Sequence, residues 1–414
     1  MNRIGYLVPE FPGQTHIFFW RERQILKQRG IEPELVSTRR PPTGLISHDW
    51  SNEAIRQTTY LFPPRPADLA RASIAIARSR PKGWARCISS IARAQDFAGP
   101  APWRQKARLI GLAVMGASLA DLARSRGWMH VHCHSCADSA HIAMFAHLLS
   151  GLPYSLTLHG PLASYGPNQR EKWCHADLGI VITEILRRDV ERELAGFLPR
   201  RLEVAPMGVD IERFRRLHPI DLWRGHGPFR VFSCGRLNPC KGHRDLIKAI
   251  ALMREQGTDA RLVIAGEDDA GGSGYRATLE AEIKQIGLHA FVTLLGAVGE
   301  NRIVSELHEA HVFALASRAE PLGVAIMEAM AMEVPVVVTR GGGVEELVRD
   351  GVDGIFVVPE QPVLLADALG KLARNPDLAY QLGRHGRNTI EVRFQASRSA
   401  DVLAKHILEQ ANRG

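Results

Sequence analysis

One segment of the sequence carries two cations that suit a phosphate-bearing ligand. Arg236 and Lys241 lie five residues apart in the segment GRLNPCKG, between a predicted strand and a predicted helix that begins near Gly242. A helix N-terminus attracts anions, and an arginine together with a lysine adds charge-assisted hydrogen bonds to a diphosphate. A solvated basic loop has the same composition, so both interpretations stay open for this segment alone.

A second segment carries two carboxylates. Glu320 lies at a predicted strand-to-helix turn, and Glu328 follows eight residues later, just over two helical turns along. Both can face one cleft and accept hydrogen bonds from sugar hydroxyls, although a pair of surface carboxylates has the same spacing. Glu328 is set in a largely apolar helix, where a carboxylate is costly without a partner. The later Gly341–Gly343 turn permits close backbone approach to a ligand, or is only a tight turn.

Parallel strands alternating with helices would bring these segments together. A strand at Ile4–Val8, a helix from Thr15 to Gly30 and a strand at Glu34–Ser37 predict a first βαβ unit. Further strands are predicted at His130–His134, Tyr154–Leu158, Gly179–Thr183, Arg201–Val204, Arg230–Cys234, Arg261–Ala265, Phe291–Leu295, Val312–Ala316, Val334–Thr339 and Gly354–Val358. Predicted helices include Ser139–Leu149, Gly242–Glu255, Tyr275–Gln285, Leu322–Met332 and Val363–Arg374. The pattern predicts an α/β protein with two doubly wound domains, whose ligands bind beyond the carboxyl ends of the strands.

The charge of the 414-residue chain is unevenly distributed. Residues 1–200 carry 26 Lys+Arg against 16 Asp+Glu, a net charge of +10, whereas residues 201–414 carry 26 against 28, a net charge of −2. The stretch Arg65–Arg108 alone holds ten basic residues against two acidic ones, with Trp84 and Trp103 near its helices. Such a stretch can lie in a membrane interface, although a solvated helical face is the simple alternative. No recognised nucleic-acid-binding signature accompanies it.

Composition excludes several classes of protein. Apolar residues make up 45% and charged residues 23% of the chain, which argues against disorder. There is no apolar run of eighteen residues, and the N-terminal apolar segment is too short for a signal peptide. Six cysteines are too sparse for a disulfide framework. We therefore expect a cytoplasmic protein.

A histidine- and cysteine-rich segment, HVHCHSC, has the composition of a metal site. Alternation along a strand would send His130, His132 and His134 to one face and Cys133 to the other. A tetrahedral site would need further ligands from elsewhere in the chain, so a structural strand end is the favoured interpretation. A redox role for Cys133 and Cys136, or an acceptor-site role for His134, stays open.

Three motifs together suggest a family. The pattern Gly-Arg-x4-Lys-Gly at 235–242, the Glu320-x7-Glu328 pair and the Gly341–Gly343 turn followed by Glu345 resemble the retaining family 4 glycosyltransferases. The resemblance covers nearly the whole chain and is strongest over 230–360. The segments YLVPEFP at 6–12 and YSLTLHGP at 154–161 resemble bacterial exopolysaccharide-assembly members of that family.

The resemblance implies the GT-B fold, in which two Rossmann-like domains face each other across a cleft. The acceptor-side domain would span 1–205, and the nucleotide-sugar-binding domain would span 206–393. A C-terminal helix at about 394–414 would pack back on the first domain.

The resemblance also implies a set of site residues. The catalytic residues would be His159, Arg236, Lys241 and Glu320, and the donor-binding residues would be Gly13, Val298, Leu322, Gly323 and Glu328. Arg236 and Lys241 would neutralise the departing diphosphate, while Glu320 would hold hydroxyls of the transferred hexose. Glu328 would accept the ribose hydroxyls. Many relatives carry an aromatic residue in place of Leu322, so the identity of the sugar stays open.

We therefore expect a retaining transferase that moves a hexose from a nucleotide-diphosphate sugar to a lipid-linked glycan acceptor in exopolysaccharide biosynthesis. No Asp-x-Asp metal motif lies in a suitable loop, so we expect neither a divalent metal nor another cofactor. The protein would contact the anionic inner face of the bacterial plasma membrane through Arg65–Arg108 and would not bind nucleic acid. Two alternatives stay open: a GT-B sugar-nucleotide epimerase, and a non-catalytic nucleotide-sugar-binding partner of a membrane polysaccharide complex.

Overall fold

The chain forms two compact units, each built on one parallel β-sheet. The computed structural model describes residues 2–13, 16–41, 49–64, 66–78, 81–96, 99–268, 272 and 274–412. The first unit contains Met1–Pro41, Trp50–Pro206 and Ser397–Gly414, and the second is built on Met207–Ala396.

The first unit has a seven-stranded sheet with the order β3-β2-β1-β6-β7-β8-β9. The strands of this sheet are β1 (Asn2–Leu7), β2 (Ile31–Arg39), β3 (Thr59–Phe62), β6 (His130–Cys133), β7 (Tyr154–Leu158), β8 (Leu178–Val181) and β9 (Leu202–Val204). Two further short strands, β4 (Gln95–Asp96) and β5 (Gly99–Pro100), form a separate antiparallel pair. The first eight helices of this unit are α1 (Ile17–Gln28), α2 (Ser51–Gln57), α3 (Pro66–Arg78), α4 (Pro81–Arg93), α5 (Trp103–Arg126), α6 (Asp138–Ser150), α7 (Gln169–Cys174) and α8 (Glu184–Glu193). The strand order reverses between β1 and β6, which is where such sheets bind ligands.

The second unit has a six-stranded sheet with the order β12-β11-β10-β13-β14-β15. Its strands are β10 (Phe229–Cys234), β11 (Ala260–Ala265), β12 (Val292–Gly296), β13 (Val312–Leu315), β14 (Val336–Thr339) and β15 (Ile355–Val357). Its helices are α9 (His243–Glu255), α10 (Tyr275–Gln285), α11 (Glu300–Glu309), α12 (Val324–Ala331), α13 (Val344–Leu347), α14 (Pro362–Arg374) and α15 (Pro376–Arg393). This order is that of a dinucleotide-binding Rossmann sheet, with its reversal between β10 and β13.

The last helix, α16 (Ser397–Ala411), belongs to the first unit, where it contacts α1 and β1. Its buried side chains include Leu403 and Ile407. The Gln410 carboxamide oxygen lies 3.0 Å from Nδ1 of His130. The last helix of the first unit therefore follows the whole of the second unit in the sequence.

The prediction of an α/β protein with two doubly wound domains is confirmed. The predicted strand at Tyr154–Leu158 and the predicted helix at Tyr275–Gln285 have the predicted bounds, and the other predicted elements differ by a few residues at their ends. The strand that begins at His130 ends at Cys133, so His134 lies just beyond it. In the described part of the chain, every helix is too short or too polar to cross a lipid bilayer.

Candidate functional site

The loops that follow β10 and β13 are held together at the strand reversal of the second unit. Gly242 has φ of +66°, and a Cβ atom there would lie 1.9 Å from the carbonyl oxygen of Ala316, so only glycine fits. The Arg318 N–H donates a hydrogen bond to the Cys240 carbonyl over 2.8 Å. The Asn238 side chain caps the turn by accepting from the Cys240 N–H at 3.0 Å. This backbone contact fixes the position of Lys241 relative to the β13 loop.

Lys241 and Glu320 form a largely buried ion pair between the two loops. The Lys241 ammonium donates to Oε2 of Glu320, and the Ser317 hydroxyl donates to the same oxygen over 3.2 Å. Behind Glu320, a Cβ on Gly342 would lie 2.3 Å from the Glu320 carbonyl oxygen, and the Gly343 N–H donates to that oxygen over 2.9 Å. The glycine turn therefore presses against the backbone of Glu320 and positions its carboxylate.

Glu328 lies in the same electrostatic environment as this pair. Burial, followed by the Glu328 carboxylate, raises the pKa of the Cys234 thiol to about 12, and Lys241 opposes that rise. Burial and Lys241 also lower the pKa of His243 to about 4, so the first residue of α9 stays neutral beside the lysine. Cys234 ends β10 and Glu328 is buried in α12. The structure thus brings Lys241, Glu320 and Glu328 to one region of the sheet edge.

The other predicted donor-site residues occupy neighbouring loops. Arg236 is exposed in the loop after β10. Leu322 is buried, and Gly323 caps the start of α12 with φ of +92°. Val298 lies between β12 and α11, at the edge strand of the sheet, two strands away from β10. Their contacts with a donor stay a prediction.

The two predicted residues of the first unit lie in separate loops of its sheet. Gly13 follows β1, and a Cβ there would lie 3.0 Å from the His16 ring. His159 follows β7, and its Nε2 lies 3.3 Å from Nδ1 of His134. Burial, followed by His134, lowers the pKa of His159 to about 3, so its imidazole is neutral near pH 7. Neutral imidazole can accept a hydrogen bond but carries no charge for a phosphate.

Two buried residues beside the predicted site residues, Ser317 and Glu22, are absent from the sequence-based predictions. Ser317 donates a hydrogen bond to Glu320. The sequence signal that could have identified Ser317 is a hydroxyl two residues beyond a buried strand. Glu22 is only 1% exposed although it lies in α1 between aromatic and aliphatic neighbours. A carboxylate in such a helix needs buried partners, which was the available signal.

The basic stretch Arg65–Arg108 includes an exposed surface with apolar side chains. Ile88 of α4 and Trp103 and Ile110 of α5 are 63%, 74% and 57% exposed. Nearby cations on the same helices are Lys82, Arg86 and Arg104, all exposed.

Other cations of this stretch are either paired with carboxylates or lie outside the described residues. Arg93 and Arg108 form ion pairs with Glu171 and Asp138. Arg65 and Arg80 lie outside the described residues, as do the side chains of Arg71 and Arg78.

Comparison with known proteins identifies the family of this chain. Residues 220–389 match the family described as Glycosyl transferases group 1. EpsD of Bacillus subtilis, described as a glycosyltransferase, is 30% identical over 297 residues, which are 66% of this chain and 74% of EpsD. A Mycobacterium tuberculosis GDP-mannose-dependent α-(1-6)-phosphatidylinositol monomannoside mannosyltransferase is 32% identical over 219 residues, 49% of this chain and 55% of that protein.

A solved structure supports the fold along the entire chain. HepE of Anabaena, solved in complex with UDP, superposes with a TM-score of 0.73 over 99% of this chain and 100% of HepE. The two sequences are 18% identical, so this likeness concerns the fold. It agrees with the GT-B architecture that the motifs imply.

Proposed function

Because the chain belongs to the group 1 glycosyltransferases, we propose that it moves a hexose, with retention, from a nucleotide-diphosphate sugar to a lipid-linked glycan acceptor. The pathway would be exopolysaccharide assembly, in line with the named relative EpsD. The buried Lys241–Glu320 pair at the strand reversal of the second unit carries this proposal.

The pair suits the breaking of a bond between an anomeric carbon and a phosphate oxygen. Negative charge grows on the departing diphosphate while the sugar becomes oxocarbenium-like, and fixed cations stabilise that charge in a dry site. Lys241, with Arg236 nearby in sequence, would supply those cations. Glu320 holds the lysine before the donor binds, and its carboxylate would then accept hydroxyl groups of the sugar. Glu328 would accept the ribose hydroxyls of the same ligand.

The donor would be a nucleotide sugar rather than a free sugar phosphate. HepE, which shares the fold, was solved with UDP and with UDP-glucose, and the mannosyltransferase relative is described as GDP-mannose-dependent. With two cations in the loop, the proposed reaction needs no divalent metal. Turnover that disappears on treatment with a chelator and returns with Mg²⁺ would contradict the metal-free mechanism.

A thermal-shift screen tests the donor site. UDP-, GDP- and ADP-sugars are each added to the wild type and to Lys241→Met, because a ligand that binds the folded state raises its apparent stability. We expect one nucleotide series to stabilise the wild type and to lose that effect in the variant. Transfer to acceptor must then follow. Product formation without any acceptor would indicate an epimerase, and binding without transfer to any acceptor would indicate a non-catalytic partner.

The acceptor-side surface would lie against anionic lipid. Trp103 and Ile110 are seven residues apart on α5, hence on one helical face, and exposed cations lie on α4 and α5. The mannosyltransferase relative, which is described as acting on a phosphatidylinositol monomannoside, supports a lipid-borne acceptor.

Vesicle flotation tests this surface. We expect the wild type to float with vesicles containing anionic lipid, and the triple variant Lys82→Gln, Arg86→Gln, Arg104→Gln to stay in solution. Substitution of three exposed cations on the other unit, Arg224, Lys248 and Lys371, is the matched control. Equal flotation of both triple variants would contradict the assigned surface.

A further inference from the structure

A chain of buried polar groups runs from Tyr6 to His159 in the first unit. The Tyr6 hydroxyl lies 2.6 Å from Oε2 of Glu22, and the same carboxylate oxygen lies 2.8 Å from Nε2 of His134. Nδ1 of His134 lies 3.3 Å from Nε2 of His159. Tyr6, Glu22 and His134 are at most 2% exposed, while His159 is partly accessible at the end of the chain.

The contacts define where each proton lies. Burial, followed by Glu22, raises the pKa of Tyr6, so the phenol keeps its proton and donates to the carboxylate. The approach of Glu22 to Nε2 of His134 is off the ideal hydrogen-bond direction, yet two lone pairs at 2.8 Å would repel. The His134 proton therefore lies on Nε2. Since burial keeps His134 neutral, its Nδ1 is an acceptor, and Nε2 of His159 must donate to it.

His132, which lies against this chain, belongs to a separate hydrogen-bonded network. The network connects Asp177, Gln410, His130, Ser155, His132 and Thr157 in that order. Gln410 donates to Asp177 through its amide nitrogen, so its oxygen faces His130. Both ring nitrogens of His132 then contact hydroxyl groups, at 2.7 and 3.1 Å.

The hydrogen bonds of this network argue against a metal site at Glu22, His132 and His134. Glu22, His132 and His134 offer three ligand atoms within 4.8 Å of one another. A metal there would take one ring nitrogen of His132 away from its hydroxyl partner, which lies 2.7 or 3.1 Å from that nitrogen. A relay of fixed tautomers satisfies the same atoms without that cost.

We propose that Glu22 and His134 are positioning residues that hold His159 in the tautomer protonated at Nε2, with the lone pair of Nδ1 presented to a sugar hydroxyl. Among the described residues, His134 is the ring-nitrogen partner of His159, and Nδ1 is left for a ligand. The tautomer of a histidine is set by the hydrogen bond at its other nitrogen. Phe18 and Phe19 contact the His159 ring and restrict its rotation.

The functional part of this inference rests on the proposed transferase, with His159 as the catalytic residue that the family resemblance implies. A neutral histidine with a fixed lone pair selects a hydroxyl donor at one point of the ligand. The wrong tautomer would present an N–H to that hydroxyl and lose the orientation. Glu22 and His134 would therefore affect catalysis without touching the substrate.

Nitrogen NMR on histidine-labelled protein tests the tautomer without any substrate. The His159 signal is assigned by its loss in His159→Gln, and its long-range coupling pattern reports which nitrogen carries the proton. We expect Nε2 protonation in the wild type. In Glu22→Gln and in His134→Phe, we expect the signal to show both tautomers. His141→Phe, at a buried histidine that contacts Asn168 and Phe145, is the matched control and should leave the signal unchanged.

Kinetics on the same variants test the consequence. Glu22→Gln and His134→Phe should lower kcat/KM by roughly tenfold, the loss that corresponds to about one net hydrogen bond. His141→Phe should stay within about twofold, the scatter expected for a site without coupling. If His134→Phe fails to fold, Glu22→Gln, which has nearly the same shape, still provides both measurements.

Three outcomes would overturn the proposal. A wild-type His159 protonated at Nδ1 would do so whatever reaction the protein catalyses. A stoichiometric transition metal that is lost in His134→Phe would assign these side chains to a metal site. The expected tautomer with full turnover by His159→Gln would remove His159 from the reaction, while leaving the transferase activity itself standing.

Discussion

Lys241 is held by the Glu320 carboxylate and is one of the two cations of the proposed diphosphate site. In the structure its ammonium is paired with Glu320, which Ser317 also bonds. A diphosphate entering the site would compete for the lysine and release the carboxylate toward sugar hydroxyls. In the proposed reaction, the same residue pair first organises the donor site and then divides its two charges between the two ends of one ligand.

Loss of the Lys241 charge should slow the reaction more than it weakens the fold. We expect Lys241→Met or Arg236→Ala to lower turnover at least tenfold, since one lost donor to a developing anion costs about 10²–10³ in comparable sites. Steady-state kinetics on the preferred donor gives the measurement. Lys248→Met, at an exposed position of α9, is the matched control and should keep wild-type rates. Wild-type turnover by Lys241→Met would contradict the phosphate assignment.

At the scale of elements, the candidate donor site depends on contacts between loops, which are harder to predict from the sequence than the strands that the loops follow. The sequence predicted most strands within a few residues, because continuous apolar runs mark strands that helices cover on both faces. The contact between Gly242 and Ala316 was not predictable in the same way. It joins residues 74 positions apart, and nothing local to either residue shows that their backbones touch. The same holds for Glu22 and His134, whose contact requires α1 to bring Glu22 against the residue that follows β6.

Gly242→Ala should disable the donor site through a backbone clash. Its Cβ would lie 1.9 Å from the Ala316 carbonyl oxygen, so the β10 loop must move and carry Lys241 away from Glu320. We expect loss of donor-induced stabilisation and a lower free energy of unfolding by roughly 1–3 kcal/mol. Gly257→Ala is a precise control, because Gly257 has φ of +88° with no atom within 4 Å of the new Cβ. Equal effects of the two variants would attribute the loss to the positive φ alone.

A second element-scale prediction concerns α7 and the basic helix α4. Cys174 and then Glu171 raise the pKa of His175 to about 9. Burial opposes ionisation of Glu171, but its interactions with His175, Ser90 and Arg93 outweigh burial and lower its pKa to about 2. The Arg93 side chain thereby ties α4 to α7.

The sign of the pH dependence follows from these values. His175 has a folded pKa above its ordinary 6.5, so its contribution is complete below that pH and lost as the pH rises through about 9. A double-mutant cycle of His175→Gln and Glu171→Gln should give a coupling of roughly 1 kcal/mol at pH 6, allowing for solvent screening. The coupling should fall toward zero by about pH 10, beyond the folded pKa. A coupling that does not change with pH would show that the charge of His175 contributes nothing to the pair.

At the scale of the whole molecule, the first unit is formed by segments that are not continuous in the sequence. The first unit is interrupted by the second and is completed only by α16, which packs on α1 and β1. The strand and helix patterns indicated two domains, and the family resemblance implied the return of the last helix. The polar contacts of that helix could not be predicted, because Gln410 meets His130 across 280 residues. The last helix is thus part of the network beside the His159 relay.

Truncation should show that α16 is an integral part of the first unit. A chain ending at Ala396 loses the buried Leu403 and Ile407 side chains and exposes the surfaces of α1 and β1 that they cover. Because one such side chain removed from a core costs about 2–5 kcal/mol, we expect the first unit's unfolding transition to fall steeply or vanish. A chain ending at Ala411 keeps the helix and is the control. Differential scanning calorimetry separates the cases, since an unchanged transition in the shorter chain would mean that α16 only decorates the first unit. If the transition falls while the second unit still binds nucleotide sugar, the two units are energetically distinct parts of one enzyme.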